Sequence, residues 1–195
     1  MIRKLPRLAC CLLVIPCLSV PVRAELGKDW IQARGSSDWL PGSPVVVFNG
    51  KIWIVWNEVW YSSDGGRWTQ ATAQAGFPPR ASTKSVVHNG KIWVLGGNAE
   101  DLFFNDVWCS SDGVRWSQAT SAAPWPARDR HTAVLHNSRI WVMGGWSGSG
   151  TFSDVWYSSD GRAWIQATAH APWGPRLAHA SVAYNGRIWV LGGKY

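Results

Sequence analysis

Residues 89–97 read NGKIWVLGG, and the stretch returns as NSRIWVMGG at 137–145 and as NGRIWVLGG at 185–193. A degenerate copy, NGKIWIVW, runs from 49 to 56. The leading residues Asn49, Asn89, Asn137 and Asn185 are separated by 40, 48 and 48 positions. A second stretch follows each of the first three copies. It reads NEVWYSSDGGRWTQAT at 57–72, NDVWCSSDGVRWSQAT at 105–120 and SDVWYSSDGRAWIQAT at 153–168. Self-similarity at this period marks a chain assembled from one supersecondary unit.

Each unit divides into four short strands. The first ends near Val86-Val87-His88 and turns at Asn89-Gly90, a pair suited to a type I′ hairpin because both turn residues need positive φ. The second strand is Lys91 to Leu95, closed by Gly96-Gly97, where the missing Cβ permits close backbone approach. The third is Asp106 to Ser110. Asp112-Gly113 is the next tight turn, and Arg115 to Ala119 is the fourth strand. A four-stranded antiparallel meander repeated at 40 to 50 residues is the unit of a β-propeller. The expected fold is therefore all-β, with blade units at approximately 43–72, 80–120 and 128–168, a partial unit at 176–195, and a lone N-terminal strand at 29–33. That gives three complete blades and partial ones at each end, an open arc or a fragment of a larger propeller. An arc leaves edges and sheet faces uncovered, so self-association or completion by a larger chain is expected.

The ordered features Arg-x-x-His, Asn-Gly-Lys-Ile-Trp-Val, Gly-Gly, Asp-Val-Trp and a late Trp resemble the kelch repeat, over nearly the whole chain after residue 24. The SSDGxxW hairpin is similar to the Asp-box of sialidase-type propellers, but the double glycine has no counterpart there. The leading expectation is a non-catalytic recognition module outside the cytoplasm. The resemblance also raises two enzyme classes with kelch-like propellers, galactose oxidase and an exported sialic-acid mutarotase. The oxidase's copper site needs paired Tyr and His with a Cys–Tyr crosslink. Here Tyr61, Tyr157, Tyr184 and Tyr195 stand in strand slots or at the end. A mutarotase needs less apparatus.

The first 24 residues stand apart from the repeat. Arg3, Lys4 and Arg7 precede an apolar run of about 13 residues, and Val22-Arg23-Ala24 supplies small residues for a peptidase; this is the layout of a secretory signal peptide. The run is shorter than the ~20 residues of a spanning helix, so no membrane span is expected after processing. Four of the 19 basic residues (Arg3, Lys4, Arg7 and Arg23) leave with it and none of the 12 acidic ones does, so the net charge falls from +7 to +3. That small, scattered excess does not point to nucleic acid. Cys10, Cys11 and Cys17 leave as well. Cys109 alone remains, too few for an intrachain disulfide or a cysteine metal site. A periplasmic or secreted protein is expected.

Most of the 16 tryptophans occupy repeated slots. Trp53, Trp93, Trp141 and Trp189 share one in the second strand. Trp60, Trp108 and Trp156 share one in the third, and Trp30, Trp68, Trp116 and Trp164 one in the fourth. A need that recurs in every blade is packing, so truncating Trp141 is expected to cost about 3–5 kcal/mol. Cys109 stands where other blades have Tyr61 and Tyr157 and is expected in the core. His131 and His179 are expected to tie blades together, His88 and His136 to lie on the surface.

Alternating strand direction puts the tight turns on one face and the long loops on the other. Binding residues concentrate on long loops held by a rigid scaffold. Trp146, in GGWSGSG, has no equivalent aromatic in other blades. Arg128, Arg176, Asp129 and Arg130 lie at the same rim, with Trp125 and Trp173 beside prolines. These seven are the candidate ligand contacts, for a glycan or a protein partner. No cofactor, metal motif, phosphate loop or nucleophile elbow is legible. N-terminal sequencing of exported protein is expected to begin at Glu25; material beginning at Met1 would overturn the signal assignment.

Overall fold

The computed structural model describes residues 43–195, so the signal segment and the strand expected at 29–33 lie outside the described residues. The rest is all-β. The first blade is the sheet β1 (Val45–Phe48), β2 (Lys51–Val55), β3 (Val59–Ser62) and β4 (Thr69–Thr72), paired in that order. The second blade pairs β5 (Lys84–His88), β6 (Lys91–Leu95), β9 (Val107–Ser110) and β10 (Ser117–Thr120). Between β6 and β9 a small hairpin interposes β7 (Asn98–Ala99) and β8 (Leu102–Phe103). The third blade repeats this with β11 (Thr132–His136), β12 (Arg139–Met143), β15 (Val155–Ser158) and β16 (Ile165–Thr168), and its hairpin is β13 (Trp146–Ser147) and β14 (Gly150–Thr151). A last pair, β17 (Ala180–Tyr184) and β18 (Arg187–Leu191), follows. The first blade lacks the interposed hairpin, which is why its repeat is shorter.

The Asn-Gly turns form as their chemistry requires: Asn89 and Gly90 have φ of 48° and 65°. The fourth strand starts two residues later than the pattern suggests. Asp112 Oδ1 accepts the N–H groups of Val114 and Arg115, both at 2.8 Å, and this Asx-type turn holds Arg115 and Trp116 out of the ladder.

The apolar core sits between blades rather than within them. One cluster joins Phe48, Trp53, Val55 and Val59 of the first blade to Ile92 and Val94 of the second, with Phe77 of the connection. The other joins Trp93, Leu95, Val107 and Cys109 of the second blade to Ile140, Val142 and Trp164 of the third, with Trp125 of the connection. Cys109 is thus a small apolar filler. The first strands β1, β5, β11 and β17 lie successively against one another.

The strand-two tryptophans show how blades lock. Each indole N–H donates to the carbonyl ending the first strand, as Trp53 does to Phe48 and Trp93 to His88, both at 2.9 Å. The ring is then covered by the tight turn of the next blade. A Cβ on Gly113 would lie 2.1 Å from the Trp53 ring, and one on Gly161 2.1 Å from Trp93. Trp53 and Trp93 are accordingly 5% and 4% exposed, whereas Trp141 is half-buried and Trp189 is 45% exposed. Burial in this slot needs a following blade, so the truncation cost expected of Trp141 belongs to Trp53 and Trp93. The same turn corrects His88, expected at the surface: it is buried, and its Nε2 donates to the Ser159 carbonyl at 2.7 Å. His136 is half-buried.

Gly161→Ala is expected to cost about 1–3 kcal/mol of overpacking beyond its backbone strain. Gly90→Ala, also at positive φ but with open space around the new methyl, should cost only the strain, about 1–2 kcal/mol. Chemical denaturation of both variants checks this, and equal losses would contradict the ring-on-glycine contact.

Candidate functional site

The arginine before each first strand is the first functional candidate to place. Arg128 Nη1 and Nη2 donate to the two carboxylate oxygens of Asp154 at 2.6 and 2.7 Å. Nη1 also donates to the Gly144 carbonyl at 2.8 Å and Nε to that of Pro126 at 2.9 Å. Asp154 in turn accepts the Trp156 indole N–H at 2.7 Å. Arg80 and Asp106 repeat the arrangement one blade earlier, with Trp108 bonded to Asp106. Arg128 is 0% exposed. Breaking such a pair strands a buried charge, at about 3–5 kcal/mol. The expectation of a ligand contact at Arg128 is therefore corrected, because every face of its guanidinium is spent on the scaffold. Trp125 is corrected likewise: it is 0% exposed and packs edge-on against Trp164 at 5.8 Å, closing the gap between blades. Trp173 and Arg176 are half-buried at the β17–β18 end. There Arg176 donates to the Gly192 and Trp173 carbonyls and lies over the rings of Trp173 and Tyr195.

The remaining three candidates come together. Trp146 begins β13, and its backbone exchanges two 2.9 Å hydrogen bonds with Asp129, fixing the interposed hairpin to the segment before β11. The long loop that carries GGWSGSG is therefore a paired hairpin. The Trp146 ring meets Phe103 of β8 edge-on at 5.1 Å, so the hairpins of blades two and three touch. The Arg130 guanidinium lies 5.6 Å from the Trp146 ring centre, within cation–π range. Arg130 itself has φ of 49°, a left-handed conformation that aims its side chain outward, and it is half-exposed.

Behind this surface sits Asp129, 1% exposed, with Arg130 Nε 3.6 Å from one carboxylate oxygen. Neither oxygen accepts a hydrogen bond among the described residues. Burial raises its pKa, against the opposing pull of Arg130 and Lys84. Burial likewise pushes the Lys84 ammonium below its ordinary value, with Asp129 opposing. Trp146, Phe103 and Arg130 thus offer a half-exposed aromatic face and a half-exposed cation, whereas Asp129, expected as a ligand contact, is buried beneath them with no hydrogen-bond donor. The Phe103 contact was not legible, because nothing in its blade's pattern says that β8 reaches the next hairpin. Clefts of about 400 Å³ lie elsewhere, one lined by Trp56, Arg80, Asn98 and Glu100 and one by Phe152, Trp156, His170 and Pro175. Neither includes Trp146, whose surface is open rather than recessed. Among the described residues no helix is long and apolar enough to cross a membrane.

Four-stranded antiparallel blades whose cores lie between neighbours define this protein as a β-propeller of the repeat-built class. The family described as the KLHDC2/KLHL20/DRC7 Kelch-repeats domain matches residues 40–195, and the chain belongs to that kelch-repeat family. The solved structure of YjhT superposes with a TM-score of 0.66 at 19% sequence identity, over 78% of this chain and 58% of that one. The chain thus spans little more than half the length of that structure, and the likeness is one of fold. No curated protein matches the chain by sequence. A kelch propeller is a scaffold suited to binding and recognition.

The two inter-blade histidines complete the picture. His179 is buried and its Nε2 bonds Thr132 Oγ1 across the blade boundary at 2.9 Å. His131 fills the same slot one blade earlier, but Lys84 replaces the threonine, and its ring makes no hydrogen bond among the described residues. It ties the blades by packing on Gly96 and Gly145 instead. Burial, with Arg176 and Lys84 nearby, lowers the His179 pKa to about 4. Burial, with Arg128, Lys84 and His179, holds His131 well below the ordinary value. Both rings are neutral in the fold and titrate near 6.5 when unfolded. Their contribution is complete above that pH and is lost as the pH falls from about 6.5 towards about 4. Asp129, with a raised pKa, works in the opposite sense. The carboxylates Asp64, Asp112 and Asp160, lowered chiefly by backbone N–H bonds, act only below the usual carboxylate pKa. Thermal melts should therefore show Tm falling between pH 6.5 and 4, with a flatter profile in a His131→Gln/His179→Gln double variant. An unchanged slope in that variant would contradict the assignment.

Proposed function

We propose that this protein is an exported, periplasmic or secreted recognition module that binds a glycan or a protein partner through its long-loop face. The observation carrying this reading is the cluster of Trp146, Phe103 and Arg130 on two touching hairpins. It departs from the repeat: the Trp146 slot holds Asn98 in the second blade and Lys194 in the last. What recurs in every blade serves packing, and an aromatic surface that does not recur has no such duty. The chemistry favours a sugar. A ring stacks on the apolar face of a pyranose, while the half-exposed Arg130 guanidinium is placed to bond hydroxyl groups. Export is supported by the basic, apolar and small-residue order of residues 1–24.

A second reading, a sugar-active enzyme similar to the sialic-acid mutarotases, draws on Asp129. A buried carboxylate of raised pKa near an ammonium of lowered pKa is the kind of pair that moves protons.

A glycan array probed with purified protein tests the leading reading. Trp146→Ala is expected to weaken any binding about tenfold or more, with a Tm change of no more than about 2 °C. Unfolding of the variant, or unaltered binding, would overturn the site. Anomer exchange of a bound sugar by NMR, lost in Asp129→Asn while binding persists, would favour the enzyme.

A further inference from the structure

The boundary between the first and second blades is built differently from the one between the second and third. In the second blade the chain between β6 and β9 rises into the β7–β8 hairpin, and Phe103 of β8 meets Trp146 of the next blade's hairpin at 5.1 Å. The first blade has no such hairpin. Val55 ends β2, and only Trp56, Asn57 and Glu58 separate it from β3. Among the described residues, nothing from the first blade stands where Phe103 stands one blade later. The space left in front of β7 is a cleft of about 400 Å³, lined by Trp56, Arg80, Ala81, Asn98, Ala99 and Glu100.

This lining departs from the repeat, as Trp146 does. Trp56 stands in the slot of Gly96 and Gly144: its backbone N–H donates to the Glu58 carbonyl at 3.2 Å, as theirs donate to the carbonyls of Asp106 and Asp154. Its indole N–H donates to the Arg80 carbonyl, so the half-buried ring is fixed before any ligand arrives. Glu100, in the hairpin turn, is exposed and has φ of 52°, a left-handed conformation that favours glycine. Gly148 holds the matching position in the next hairpin. Asn98 Nδ2 donates to the Glu100 carbonyl at 3.1 Å, and the amide oxygen accepts no hydrogen bond among the described residues. The Arg80 charge is met by Asp106, which leaves Glu100 as the uncompensated charge of the lining. A fixed aromatic face, an amide oxygen and a carboxylate suit a neutral, hydroxylated ring and repel an anionic one.

Asn98 pairs with Phe103 across the hairpin. The cleft and the Trp146 surface thus flank one pair of strands, whose backbones lie about 4.8 Å apart. We propose that the cleft is a second sugar subsite, and that the ligand is a glycan chain running over the β7–β8 hairpin from Trp146 to a neutral unit on Trp56. This rests on the glycan reading of the Trp146 surface. A single sugar ring reaches one platform. A chain of several units reaches both, and its second contact forms at high effective concentration.

The test titrates the full chain, by calorimetry, with neutral oligosaccharides of glucose, N-acetylglucosamine, mannose and xylose, each as the di-, tetra- and hexasaccharide. In a series that binds, the hexasaccharide should bind about tenfold or more tightly than the disaccharide. Ala81→Tyr fills the cleft from an exposed position whose bonds to Asn98 are made by the backbone alone. It should abolish the length preference and leave disaccharide affinity unchanged. Glu100→Gly removes the carboxylate and relieves the left-handed strain. Its Tm should hold or rise while hexasaccharide affinity falls about threefold or more. Trp146→Ala should weaken every length. Affinity independent of length, or a full length preference that survives either folded cleft variant, would overturn the inference and leave the Trp146 site standing. Absence of binding in every series would overturn it together with the glycan reading.

Discussion

Each blade is held to the next by a backbone approach that a side chain would block. The Gly97 N–H donates to the Arg128 carbonyl at 2.9 Å, and the Gly145 N–H to that of Arg176 at 2.8 Å. A Cβ on Gly96 would lie 2.9 Å from the Arg128 carbonyl oxygen, and one on Gly144 2.8 Å from that of Arg176. The double glycine is therefore the hinge on which the architecture turns. It lets the following arginine segment come in close, and that segment brings the buried ion pair and the inter-blade histidine with it. The first blade, with Trp56 in place of the first glycine, solves the problem differently: the Trp56 indole N–H donates to the Arg80 carbonyl.

Because the cores lie between blades, each element depends on its neighbour more than on its own sheet. The tryptophan slot of the second strand shows this as a gradient, from Trp53 and Trp93 covered by a turn glycine to Trp189 left open. The arginine slot shows it too, from Arg80 and Arg128 enclosed with carboxylates to Arg176 held only by carbonyls. The energetic consequence is that identical residues carry different weights in different blades. A tryptophan or an arginine here is worth what its neighbouring blade lets it bury.

The same logic separates scaffold from surface. Arg128 and Trp125 sit in repeated slots and are consumed by packing and charge pairing. Trp146, Arg130 and Asp129 stand where the other blades place Asn98, Ser82 and Ala81, or Lys194, Ala178 and Leu177. A buried carboxylate with no hydrogen-bond donor is costly to a fold, and none of the equivalent positions carries one.

The amino-acid sequence by itself determined the strands, the Asn-Gly and Asp-Gly turns, the four-stranded unit and the order of the blades. These follow from alternation, turn chemistry and a period that a single chain displays. It also singled out Trp146, by its departure from the repeat. Only the tertiary structure decided that Arg128 is spent on Asp154, 26 residues away, that His88 is covered by the Ser159 turn, and that Phe103 reaches Trp146. Periodicity records what each blade does within itself. Contacts between blades pair residues in different units, and their burial depends on which neighbour is present, a fact that no local pattern of apolar and polar residues contains.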